Sequence, residues 1–111
     1  MTYTLAFLTR PKPGITLEQF YAHYTEVHRP FAERLPGLVS YRQTRILKDG
    51  YRGADAIDYA AFSEYTFENE EAAAAAFESP EGTALDEDTG RFMDWPSVLT
   101  IPLAELGTYR G

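Results

Sequence analysis

Residues 16–43, TLEQFYAHYTEVHRPFAERLPGLVSYRQ, run from a helix signal into a strand signal, and the way one passes into the other sets the architecture. Thr16 and Gln19 form a T-x-x-Q capping box, so a helix is predicted to start at Leu17. At about 100° per residue, Leu17, Phe20, Tyr24, Val27, His28, Phe31 and Leu35 share one arc, with Glu18, Gln19, Thr25, Glu26, Arg29 and Glu33 opposite. His28 therefore points inward and His23 sits on the margin. Pro30 has no N–H, so the Glu26 carbonyl loses its helical partner and the helix is expected to distort beside His28. Pro36 and Gly37 end the helix. Leu38 to Leu47 then reads as a strand, with Tyr41, Gln43 and Arg45 on one face and Arg42, Thr44 and Ile46 on the other.

Upstream, Thr2 to Thr9 alternates Tyr3, Leu5 and Phe7 with Thr4, Ala6 and Leu8, the pattern of a strand covered on both faces, before PKPG breaks it. Downstream, KDGYRGAD is a loop and Ile57 to Phe67 a third strand, sending Tyr59, Ala61, Ser63, Tyr65 and Phe67 one way and Phe62, Glu64 and Thr66 the other. Asn69 caps NEEAAAAAF, a second helix with Glu70 and Glu71 at its positive end. Ser79 before Pro80 opens a short helical piece reaching Gly90, and Ser97 to Leu103 is the last strand. The order β-α-β-β-α-β predicts an α+β, ferredoxin-like fold: a four-stranded antiparallel sheet with both helices on one face, as a single domain over residues 1–111. The strands are apolar on both faces, and a second copy of the chain is the simplest cover for the face away from the helices. A homodimer is the expectation, with Arg42 and Glu64 on that outer face.

Composition narrows the function. Seventeen acidic against ten basic residues give a formal charge of −7 over 111 residues, which argues against nucleic acid and against anionic membranes as partners. The chain has no cysteine, so it offers neither a disulfide nor a thiolate metal site. The apolar run at the N-terminus is too short for a leader or a membrane span, and a cytoplasmic location is expected. Eight tyrosines, seven phenylalanines and one tryptophan suit an aromatic-lined cavity as well as an ordinary core. No G-x-S-x-G elbow, P-loop, G-x-G-x-x-G or H-E-x-x-H is present. On a regular helix His23 and His28 stand about 140° apart, so they do not jointly grip a metal. A buried histidine is more often a bonded packing residue than a catalyst, but one that reaches a pocket titrates near neutral pH and serves as acid or base.

The succession quoted above, with its H-x-P and P-G-L segments, together with SEYTFENEEA at residues 63–72, resembles the EthD-like branch of the dimeric α+β barrel superfamily over nearly the whole chain. The region is similar to that of the methylmuconolactone methylisomerases, whose pocket histidine on the first helix and pocket tyrosine on the second strand match His28 and Tyr41. The resemblance implies a pocket between sheet and helices in each protomer, and two sheets facing across a dimer. It makes His28 the acid/base and Tyr41 its hydroxyl or oxyanion partner. Similarity to polyketide cyclases of the superfamily adds Ser63 and Tyr65, and Phe7, Phe20, Tyr24 and Phe31 are expected to complete the substrate-binding walls. Leu5, Phe7 and Ala61 stand where some members carry histidines, so a relay through those positions is absent. The implied activity is cofactor-independent, with neither metal nor haem, on a small hydrophobic or aromatic, lactone or polyketide-like substrate. Isomerase, cyclase, dehydratase and monooxygenase chemistry stay open, with a non-catalytic ligand binder of an oxidative degradation pathway as the alternative.

Overall fold

Thr16 caps the first helix as its spacing with Gln19 requires: Gln19 N–H donates to Thr16 Oγ1 at 3.1 Å, and Thr16 N–H to Gln19 Oε1 at 3.0 Å. The structure is a computed structural model that describes residues 2–50, 52 and 58–111. From that cap, α1 (Leu17–His23) passes into a π turn over Tyr24–His28 and then into α2 (Arg29–Glu33). The π turn is the distortion that Pro30 announces. The Arg29 N–H reaches back five residues to the Tyr24 carbonyl, and that same carbonyl accepts Gln43 Nε2 at 2.7 Å from the second strand. The widened turn also breaks the 100° count. Val27 is 42% exposed although the arc places it inward, and Leu17 at the helix start is 47% exposed.

The strands are β1 (Tyr3–Thr9), β2 (Ser40–Arg45), β3 (Ala61–Phe67) and β4 (Leu99–Ala104), hydrogen-bonded in the order β2-β3-β1-β4 with every neighbour antiparallel. This is the ferredoxin-like α+β architecture. The second helical segment is α3 (Glu70–Glu78) and α4 (Pro80–Phe92), each capped as its sequence predicts, with Ala72 N–H donating to Asn69 Oδ1 and Gly82 N–H to Ser79 Oγ. Gly82 lets α4 start hard against the end of α3, since a Cβ there would collide with the Phe77 and Ala76 carbonyls.

Several boundaries differ from expectation, and each has a local cause. β2 is shorter than Leu38–Leu47 at both ends. β3 begins at Ala61 rather than Ile57, which lies outside the described residues; Tyr59 instead donates its hydroxyl to the Ser97 carbonyl. Of KDGYRGAD, Lys48–Gly50 form a 3-10 turn, and Tyr51 and residues 53–55 lie outside the described residues. The helical piece expected to end at Gly90 continues to Phe92, whose burial in the core rewards the extra turn. β4 starts at Leu99 because Trp95–Ser97 close a 3-10 turn.

Strand parity follows the alternation. Leu5, Phe7, Gln43, Tyr65 and Phe67 face the helices, and Glu64 lies on the other side with Arg42 opposite it at 3.7 Å. Ala6, Leu8, Phe62, Leu99, Ile101 and Leu103 share that outer face in register, with Leu99 and Leu103 47% and 40% exposed. Among the described residues no helix is long and apolar enough to cross a membrane.

Candidate functional site

His28 and Asp88 form the centre of the site, brought together by two unrelated stretches of chain. Asp88 stands on α4 between Leu85 and Phe92, at the i, i+3, i+7 spacing of that helix's apolar stripe, so its carboxylate is carried into the core and is fully buried. A carboxylate at such a position is very costly unless donors surround it. Three do. His28 Nδ1 lies 2.7 Å from Oδ2, His23 Nε2 lies 2.9 and 3.1 Å from Oδ1 and Oδ2, and Arg91 Nη1 donates to Oδ1 at 3.2 Å. The π turn makes this possible. In a turn closed by a five-residue hydrogen bond, residues five apart fall close to one face, so His23 and His28 share a single carboxylate instead of standing about 140° apart. Among the described residues no group of three or more such side chains is arranged to hold a metal ion.

The charges follow from burial and hydrogen bonding. Burial works to raise the Asp88 carboxyl, but the hydrogen bonds from His28 and His23 outweigh it and hold Asp88 below the usual carboxylate range. For His28 burial dominates and lowers its pKa below 6.5 despite the opposing pull of Asp88. Near neutral pH the pair is thus an ionised aspartate beside a neutral imidazole. An acceptor carboxylate at Nδ1 fixes the tautomer: Nδ1 carries the proton and Nε2 the lone pair. Nε2 has no hydrogen-bond partner among the described residues.

His28 lines a cavity of about 260 Å³ between the sheet and the helices. Phe7, Thr9, Ser63, Tyr65 and Thr100 contribute from three neighbouring strands, while Phe77, Leu85, Asp86, Thr89, Met93, Trp95 and Val98 close the rest. Of the expected site residues, the structure gathers His28, Phe7, Ser63 and Tyr65 around this space. Tyr41 is not brought to it. The cavity lies over β3, β1 and β4, whereas Tyr41 is on β2 directly opposite Tyr65, its ring 4.6 Å from the Tyr65 ring and its hydroxyl accepting Gln43 Nε2 at 2.8 Å. Phe20 and Tyr24 pack instead on Phe92, at ring distances of 5.2 and 6.2 Å, and Phe31 lies against the Ala32–Leu35 part of the core. Tyr24 still acts one layer behind the wall, because its buried hydroxyl pairs with Ser63 Oγ. Burial first, then the neighbouring hydroxyls, pushes the Tyr24 and Tyr65 phenols upward; Tyr41 is raised by burial against its hydrogen bonds. All three are neutral hydroxyls near pH 7.

Asp88 is the residue that helix and strand reading overlooked. Its signal was present: an acidic side chain on the apolar stripe of LDEDTGRF needs a buried partner, and the two histidines were the natural donors.

The EthD domain model matches residues 12–96, a span that includes the whole first helix, Tyr41, Ser63 and Asp88. The chain belongs to the EthD family. An EthD family protein from Bacillus halodurans has the same fold, with a TM-score of 0.78 at 22% identity over 96% of this chain and 100% of that one. SnoaB, a cofactor-independent oxygenase from Streptomyces nogalater, superposes with a TM-score of 0.68 at 12% identity, covering 96% of this chain and 95% of its own. A dimeric ferredoxin-like protein from Jannaschia sp. gives 0.69 at 16% identity over 95% and 100% of the two chains. No curated protein matches by sequence. Membership of the EthD family does not single out the methylmuconolactone methylisomerases.

Proposed function

We propose that this EthD family chain is a cofactor-independent enzyme that moves a proton on a small, largely apolar ligand, with His28 as the general base and Asp88 as the residue that orients and supports it. The observation that carries this reading is the His28 Nδ1 to Asp88 bond of 2.7 Å combined with an Nε2 left for the cavity. Nε2 takes a proton from a C–H or O–H of the ligand, and the imidazolium so formed is stabilised by the ionised Asp88. The charge left on the ligand oxygen falls to the neutral hydroxyls of Ser63 and Tyr65, with Tyr24 behind Ser63 and Tyr41 behind Tyr65. The proton then returns to another carbon or oxygen of the same ligand, giving isomerisation or cyclisation, or leaves with a hydroxyl as water. An oxygenase would start with the same abstraction and take dioxygen as its co-reactant. The name of SnoaB lends that branch support, and a cytoplasmic location fits a cysteine-free chain.

A pH profile of turnover across aromatic ketones, neutral lactones and polyketide-like phenols tests the reading. Because His28 titrates below its usual 6.5, activity should fall to half its plateau only below pH 6.5. A profile that halves at or above pH 7 means that another group is the base. Ligand binding with no turnover in the panel supports the alternative, an accessory binder in an oxidative pathway.

The assembly proposed for this enzyme is a homodimer through the outer sheet face, where Leu8, Phe62, Leu99, Ile101 and Leu103 have no cover and the Arg42–Glu64 pair marks the polar edge. The dimeric relative from Jannaschia supports it. Light scattering at micromolar concentration should give twice the 12.5 kDa chain mass, since a stable interface buries more than about 1,000 Å². A 12.5 kDa particle at that concentration refutes the dimer.

A further inference from the structure

One residue of the cavity wall carries a buried hydroxyl without a protein partner among the described residues, and the proposed base makes no use of it. It is Thr9 Oγ1. Thr9 is 1% exposed, lies on the inward phase of β1 with Phe7, and lines the same cavity as His28, Ser63 and Thr100. A buried hydroxyl without a partner weakens the folded state, so its presence in a residue of the cavity wall calls for a use that the fold does not supply, one that a turn about the Thr9 Cα–Cβ bond would open to a bound molecule.

We infer that Thr9 is a substrate-binding residue whose hydroxyl donates to a carbonyl or hydroxyl oxygen of the ligand, and that the ligand is an uncharged molecule of one ring or a fused pair. This rests on the reading of the cavity as a substrate site. Its size supports the ligand class, because about 260 Å³ is below the roughly 300–1,000 Å³ of sites for drug-sized molecules. Its lining supports the charge. No lysine or arginine borders it among the described residues, and its one carboxylate, Asp86, is solvent-exposed. A ligand carboxylate would meet repulsion there and find no cation inside, in a chain whose formal charge is already −7. The apolar walls, Phe7, Phe77, Leu85, Met93 and Val98, take the ring, and Thr9 fixes where its oxygen points.

The test uses three probes of one shape: 2-tetralone, tetralin, and tetralin-2-carboxylate. Trp95 is the only tryptophan and lines the cavity, so its fluorescence reports occupancy, with calorimetry as a check. The wild type is expected to bind the ketone best and the carboxylate worst. Thr9→Val keeps the shape and removes the hydroxyl. It should weaken the ketone by about three- to tenfold, the worth of one hydrogen bond, and leave tetralin unchanged. Its melting temperature should stay level or rise, because the orphan hydroxyl is gone. Equal ketone affinity in Thr9→Val and wild type, a lowered melting temperature, or a wild type that prefers the carboxylate or binds none of the three, overturns the assignment. The catalytic reading fails separately: if His28→Asn retains full turnover while Thr9→Val weakens the ketone, Thr9 keeps its role in a binding protein.

Discussion

Replacing His28 by alanine is expected to lower turnover by about 10²- to 10⁴-fold, the usual worth of a positioned acid/base. The structure also requires a stability cost, since His28 is 2% exposed and bonded to a buried carboxylate. Its removal leaves Asp88 with His23 and Arg91 alone and opens space against Phe92, whose ring is 4.9 Å from the imidazole. Alanine therefore mixes two effects, and His28→Asn separates them. An asparagine amide placed near the Nδ1 position donates to Asp88 but offers no lone pair where Nε2 stood. His28→Asn should therefore melt close to wild type and lose nearly as much turnover as His28→Ala. Rates per folded molecule, with melting curves on the same samples, make the comparison. If His28→Asn turns over like wild type, His28 is a packing residue and its bond to Asp88 serves only the core.

The sheet and its face assignments were legible because they depend on local alternation. Glu64 and Arg42 fall on the outer face where parity puts them, and the caps at Thr16, Asn69 and Ser79 each mark a real helix start. The candidate site was half legible. His28 stood out through its inward phase and its neighbour Pro30, but the consequence of Pro30 was read as a lost bond rather than as a change of pitch. A π turn adds almost a residue per turn, and that alone carries His23 from the margin to the same carboxylate as His28. Tyr41 shows the opposite failure. Its face was right, yet a strand's lateral place in the sheet is set by topology, and β2 lies one strand beyond the cavity. Asp88 was overlooked for a different reason. Its partner lies 60 residues away, so only the oddity of a carboxylate on an apolar stripe could point to it.

Removing that carboxylate has the largest expected effect on stability. Asp88→Ala takes away the acceptor of three donors, but they are not equal. His23 and Arg91 have side chains 26% and 56% exposed and turn to water at small cost; His28 Nδ1 is buried and has nowhere to go. Against this stands relief, because a fully buried carboxylate costs free energy to keep. With hydrogen bonds to a charged group worth roughly 1.5–3 kcal/mol and an unpaired buried donor costing about 1–3 kcal/mol, a net loss of roughly 2–4 kcal/mol is expected at pH 7. The pH dependence tests the cause. Asp88 titrates below the ordinary carboxylate range, so its contribution is present above the unfolded value of about 3.9 and is lost only as pH falls through the lower folded value. Urea unfolding of both proteins should therefore give a gap at pH 5 at least as large as at pH 7, since His28 also loses the acceptor that opposes its lowering, with closure confined to more acidic solution. A gap that closes as pH falls from 7 to 5 would mean that Asp88 takes up a proton there in the folded protein, and that its carboxyl is not held below the ordinary range.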